Sequence, residues 1–206
     1  MPYLKELNPN LFRWSEFSDE KQLNFNGHYL IHRKESVLID PPDLNDDGIS
    51  ELKQQVAGRA DSPLKAILLT NVHHDRASIK FKEAFNIPIY IHENDGGLLD
   101  FDPDQTFKAD EVLFCGLKVI HLKDQKSPGE SVFLLEDRKQ LFVGDALIGK
   151  VPGKLNLLPP DKYKDIQKAK EALKVLQSVD FDDLLLGDGE PIQGGAKKVL
   201  DAFLKD

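Results

Sequence analysis

The sequence predicts an α+β fold, a mixed sheet covered by helices, on three observations. Short apolar runs recur from end to end, and several of them stop at Asp or Asn. Some neighbouring runs are separated by tight polar turns, as in hairpins, and others by amphipathic helical stretches, as in crossovers. All 206 residues read as one domain, enough chain to bury a core without disulfides.

The elements follow in order. Met1 to Phe17 is mixed, with Leu11, Phe12 and Trp14 available to pack. Residues 25–31 and 36–40 read as strands around the polar turn His32-Arg33-Lys34-Glu35. The second is a continuous apolar run stopped by Pro41 and Pro42, which suits burial on both faces. A helix is expected over 45–57, where Ile49, Leu52 and Val56 share a face, Asp46 and Asp47 suit the positive dipole end, and Gly58 suits the stop. A strand over 65–70 runs into the polar loop Asn71-Val72-His73-His74-Asp75-Arg76. A helix over 77–85 follows, then a strand over 87–92 that Pro88 puts near a start or an edge.

Residues 93–99 read as a short helix and 101–110, rich in Asp and Pro, as a loop. Strands are expected over 111–115, 117–122, 131–135 and 140–143, with turns at Gly116-Leu117 and Glu136-Asp137-Arg138. An irregular stretch over 149–160 leads to a helix over 161–177, with Tyr163, Ile166, Ala169, Leu173 and Leu176 on one face. A strand over 181–186 and a helix over 195–204 close the chain.

Composition narrows the function classes. A net charge of −8 argues against nucleic acid or an anionic membrane as partner, either of which needs a basic face. The single cysteine, Cys115, lies in an apolar run and reads as a small core residue. No stretch has the apolar length of a signal peptide or a membrane span, so a cytoplasmic location is expected. No Walker loop, dinucleotide fingerprint or Gly-x-Ser-x-Gly elbow is present. The expected partner is a small-molecule ligand.

Polar residues gather at four strand ends: Asp40, Asn71 to Arg76, Asp145 and Asp188, with the turn 124–129 as a fifth wall. Residues just beyond the ends of strands that share a sheet converge on one crevice. In order, the chain carries an aspartate after a strand pair (Asp40), Thr70-Asn71-Val72-His73-His74-Asp75-Arg76, Lys126-Ser127-Pro128-Gly129, Gly144-Asp145-Ala146 and Gly187-Asp188-Gly189. This order of landmarks resembles the metallo-β-lactamase-fold hydrolases over nearly the whole chain. Their corresponding motifs are Thr-His-x-His-x-Asp-His, His-(Ser/Thr)-Pro-Gly, Gly-Asp-Ala and Gly-His-Gly. The resemblance implies a four-layer αβ/βα sandwich, with two mixed β-sheets flanked by helices.

It also implies a pair of metal ions. By position, Asn71, His73 and Lys126 would stand at one ion and Asp75, Arg76 and Asp188 at the other, with Asp145 bridging. Only His73, Asp75 and Asp145 keep the ligand type that the resemblance implies. An ammonium or guanidinium has no lone pair for a metal and repels one. Lys126 and Arg76 are instead expected to neutralise the aspartates as built-in cations.

The function expected on this resemblance is a family member without the dinuclear centre or hydrolytic activity, its pocket kept for a ligand or partner. No cofactor is expected. The alternative is a hydrolase of an ester, thioester or phosphoester that uses one Zn, Mn or Fe ion held by His73, Asp75, Asp145 and Asp188. His74, at the middle position of its motif, is expected to point elsewhere, although a one-residue shift of register would swing it in; His28, His32, His92 and His121 are expected to be structural.

Overall fold

The computed structural model describes residues 2–205. Seven strands form one sheet in sequence order: β1 (Lys5–Asn8), β2 (Leu11–Ser18), β3 (Leu23–His32), β4 (Glu35–Ile39), β5 (Leu64–Leu68), β6 (Ile89–His92) and β7 (Gln105–Phe107). The first four pair antiparallel and the rest parallel, because helices α1 (Asp46–Ala57) and α2 (Ser78–Phe85) supply crossovers. A short helix, α3 (Glu93–Gly96), follows β6.

The second sheet holds β8 (Lys118–His121), β9 (Ser131–Leu135), β10 (Gln140–Val143) and β11 (Asp183–Leu186), in the order β11-β10-β9-β8. Only β10 and β11 are parallel, joined across α4 (Ile166–Ala172); α5 (Ala196–Phe203) ends the chain.

The period of two along the strands sorts the core into three layers. Val37 and Ile39 of β4 meet Phe133, Leu135, Phe142 and Leu185 between the sheets. Leu38 points the other way, to Ile49 and Leu52 of α1 and Phe81 of α2. On the far side, Val132, Leu134, Leu184 and Leu186 pack on Leu173, Leu176 and Leu200. The architecture is therefore helices, sheet, sheet, helices, the four-layer sandwich with two mixed sheets.

Four local expectations need correcting. The mixed N-terminal stretch holds β1 and β2, with Leu11 and Trp14 buried. Alternation there is masked because the adjacent Leu11 and Phe12 are both buried, one on each face of the sheet. The loop over 101–110 contains β7, three residues that pair with β6 at the edge of the sheet. Residues 111–115 form no strand: Cys115 (φ 61°) and Gly116 (φ 77°) are consecutive left-handed residues, and they curl the run into a 3-10 turn. The helix expected over 161–177 starts only at Ile166, where the Asp165 carboxylate accepts from the Gln167 and Lys168 N–H groups.

Helix ends differ in kind. Gly58 ends α1 with φ −66°, so its freedom to adopt positive φ is unused, whereas Asn86 ends α2 in the left-handed region at φ 52°. Cys115 is buried in the core, and its thiol is pushed up to about 12 by that burial. Among the described residues, no helix is long and apolar enough to cross a membrane.

Candidate functional site

The C-terminal ends of β4, β5, β10 and β11 open on one edge of the sandwich, two strands from each sheet. Asp40 follows β4 in a left-handed conformation (φ 48°) and turns back under β5. Its Oδ1 accepts the Thr70 N–H at 2.8 Å, and its Oδ2 accepts the Thr70 hydroxyl at 2.6 Å. Oδ2 also accepts from His74 Nδ1 at 2.8 Å.

After β5, Val72–His74 forms a 3-10 turn capped by Asn71, whose Oδ1 accepts the His73 N–H. In such a turn residues three apart eclipse one another. Asn71 and His74 are accordingly both buried, while His73 is exposed on the cavity wall. The position expected to point away is thus the one that enters the cluster. His74 Nε2 lies 3.3 Å from Asp145 Oδ1 and 3.8 Å from Asp188 Oδ1. Gly187 makes this approach possible, since a Cβ there would lie 2.7 Å from His74 Cε1.

Each remaining aspartate has a cation. Lys126 Nζ donates to Asp145 Oδ2 at 2.8 Å. The Arg76 guanidinium donates to Asp188 and stacks over Phe25 at 4.4 Å. Buried Asn26 holds the Asp188 loop from β3, donating to the Leu186 and Gly189 carbonyls. Asp75 takes no part: its carboxylate accepts the Arg76 N–H and lines a neighbouring cavity with Asp100.

Electrostatics follow from these contacts. Burial and Arg76 push the His74 pKa down, but Asp40 and Asp145 outweigh them and raise it to about 10. Both ring nitrogens then donate, and His74 is an imidazolium. Burial would raise Asp145, yet His74 and Lys126 hold it below the ordinary carboxylate range. His73 differs: partial burial and Lys126 lower its pKa, leaving a neutral imidazole on the wall.

Two supporting acids had no counterpart in the sequence reading. Fully buried Glu130 uses one oxygen, Oε1, to accept from the Asp145 and Ala146 N–H groups and the Asn71 amide. Burial and then Asp145 drive its pKa well up, which favours the neutral acid. Buried Asp95 accepts from the Val72 and Gly129 N–H groups and from the Ser127 hydroxyl, which fixes the Ser-Pro-Gly turn. The signal for Glu130 was a lone acid heading an otherwise apolar strand; Asp95 gave none.

The other histidines stand outside this cluster. His28 is buried and held down to about 3 by desolvation. His32 pairs with Asp137, and His92 stacks on His121 at 4.5 Å between centroids. The paired glycines before α5 donate their N–H groups to Asp182 and Asp183, so they are a turn.

Family membership is decided by a comparison with known families: the metallo-beta-lactamase superfamily model matches residues 4–204. The chain belongs to the metallo-β-lactamase superfamily. Among solved structures, a metallo-beta-lactamase from Pontibacter korlensis is 17% identical with a TM-score of 0.78, covering 98% of this chain and 96% of that one. DIM-1 metallo-beta-lactamase exposed to ceftazidime is also 17% identical, at a TM-score of 0.77 and coverage of 98% and 95%. That of Hirschia baltica is 16% identical, at 0.72 and coverage of 98% and 96%. At such identities the likeness is one of fold. No curated protein matches.

The metal pair implied for this superfamily member does not fit the residues present. Both ends of the Asn71 amide are already engaged, and a lysine and an arginine bring positive charge to the two sites. A smaller set does come together, since His74, Asp145 and Asp188 each offer an atom within 4.8 Å of the others. His73 and Asp75 lie outside that set. An ion there must displace the Nε2 proton and compete with Lys126 and Arg76.

Proposed function

We propose that this metallo-β-lactamase-superfamily chain is a binding protein without a dinuclear metal centre or hydrolytic activity, its pocket kept for a small ligand. One observation carries the reading. Three buried carboxylates, Asp40, Asp145 and Asp188, meet three side-chain cations, His74, Lys126 and Arg76. Such a group is neutral without any ion from solution, which removes the usual reason for buried carboxylates to recruit one. A cavity of roughly 510 Å³ opens over it, a size suited to a small molecule.

A second reading has an observation of its own. Asp40 stands behind His74 Nδ1 as a carboxylate stands behind a metal-bound imidazole, and Asp145 and Asp188 face the other nitrogen. One ion held by His74, Asp145 and Asp188 would supply a Lewis acid for ester, thioester or phosphoester hydrolysis. Elemental analysis of protein purified without chelator separates the two. Substoichiometric metal, unchanged in Asp145→Ala, is expected. A near-stoichiometric transition metal, lost together with hydrolysis in Asp145→Ala, would overturn the first reading.

A further inference from the structure

The cavity over the cluster has a charge of its own. Because the floor is neutral, the field at the mouth comes from Lys21, Lys150 and Lys162 against Glu20. Lys21 is taken by Glu20 at 2.6 Å. Lys162 pairs with Asp161, an exposed neighbour at 3.4 Å, and Lys150 makes no ion pair among the described residues. The lining above the floor therefore has more lysines than acids, with Lys150 unpaired among the described residues and Lys162 held by an exposed aspartate outside the lining, in a chain of net charge −8. The wall between mouth and floor is apolar: Leu23, Phe25, Ile148, Leu158 and Pro159.

We propose that the cavity takes a small amphipathic anion, its apolar body against Phe25, Ile148 and Leu158 and its anionic head at Lys150 and Lys162. This rests on the proposed function in one respect, that the floor is closed by its own ion pairs. Desolvating the apolar body supplies most of the affinity, and the two ammonium groups select for charge. The volume limits the ligand to a small molecule and the apolar wall disfavours a sugar-rich one. Carboxylates and phosphate monoesters share the chemistry that the lysines recognise.

Decanoate, decyl phosphate and decanol share one chain length and differ in the head, so titrating each into the full-length protein by calorimetry or NMR tests the idea. At least one of the two anions is expected to bind about tenfold more tightly than decanol. The better anion identifies the head. Lys150→Glu with Lys162→Glu should weaken that anion about tenfold or more and leave decanol within about twofold; the milder double Gln variant should fall between. Decanol binding as well as both anions, no binding by either anion, or anion affinity indifferent to both double variants would overturn the inference. Metal content measured on the same samples keeps the two ideas apart. A bound metal defeats the proposed function, whereas indifference to the lysine variants in metal-free protein defeats only the anion site.

Discussion

His74 Nδ1 donates to Asp40 Oδ2 across 2.8 Å, and both side chains are almost wholly buried. A carboxylate on one ring nitrogen and two more near the other make this imidazole a fixed cation. Its folded pKa of about 10 lies above the ordinary value of 6.5, so the stability it contributes is complete below about pH 6.5 and is lost as pH rises through 10. Urea unfolding midpoints should fall across that window. In His74→Gln the same decline should be largely absent, and an unchanged slope would show that His74 is neutral in the fold.

Lys126→Met keeps the bulk and removes the charge beside Asp145. The ammonium is partly exposed and the carboxylate is buried, so the loss should be about 1–2 kcal/mol rather than the cost of a fully buried pair. Thermal or urea unfolding in the presence of chelator measures it. A variant as stable as its parent would mean that Asp145 is satisfied without Lys126.

Glu130→Gln tests the neutral buried acid. A carboxyl with a raised folded pKa loses stability as pH climbs above the unfolded value of 4.5, because only the unfolded chain releases the proton. Glutamine cannot ionise and still offers an oxygen to the Asp145 and Ala146 N–H groups. The variant should therefore gain on its parent as pH rises from 4.5 to 7. Parallel stability curves for the two proteins would contradict a protonated Glu130.

Asp95→Asn should loosen the Ser127-Pro128-Gly129 turn, since one acid serves two donors there and ties them to the Val72 N–H. A loss of about 1–3 kcal/mol is expected, together with faster amide exchange at Gly129. Protection of that amide at the level of the parent would place the constraint elsewhere.

The family and the fold were legible because they are written in patterns longer than any one residue. The order of apolar runs survives, and so do the Gly-Asp-Ala and Ser-Pro-Gly landmarks. What escaped detection depends on the local path of the backbone. Asn71, His73 and Asp75 would share a side in an extended loop, but a 3-10 turn pairs Asn71 with His74 instead, and no residue type at 72–74 announces that choice. Asp95 and Glu130 were opaque for a different reason. Their meaning comes from N–H groups of remote segments, which leave no trace in spacing. The two left-handed residues at Cys115 and Gly116 likewise broke a run whose composition reads as strand.

The site draws on both halves of the sandwich. Asp40, His74 and Arg76 come from the larger sheet, whereas Asp145 and Asp188 come from the smaller one. Three of its ion pairs, His74 with Asp145 and with Asp188 and Arg76 with Asp188, cross between the halves. Replacing His74, Arg76, Asp145 or Asp188 strands an opposite charge on the facing side, so substitutions here are coupled across the molecule rather than free to accumulate singly. A path from this chain to a metal-loaded pocket, by selection or by engineering, must change both halves, because His74 and Arg76 on one side neutralise Asp145 and Asp188 on the other.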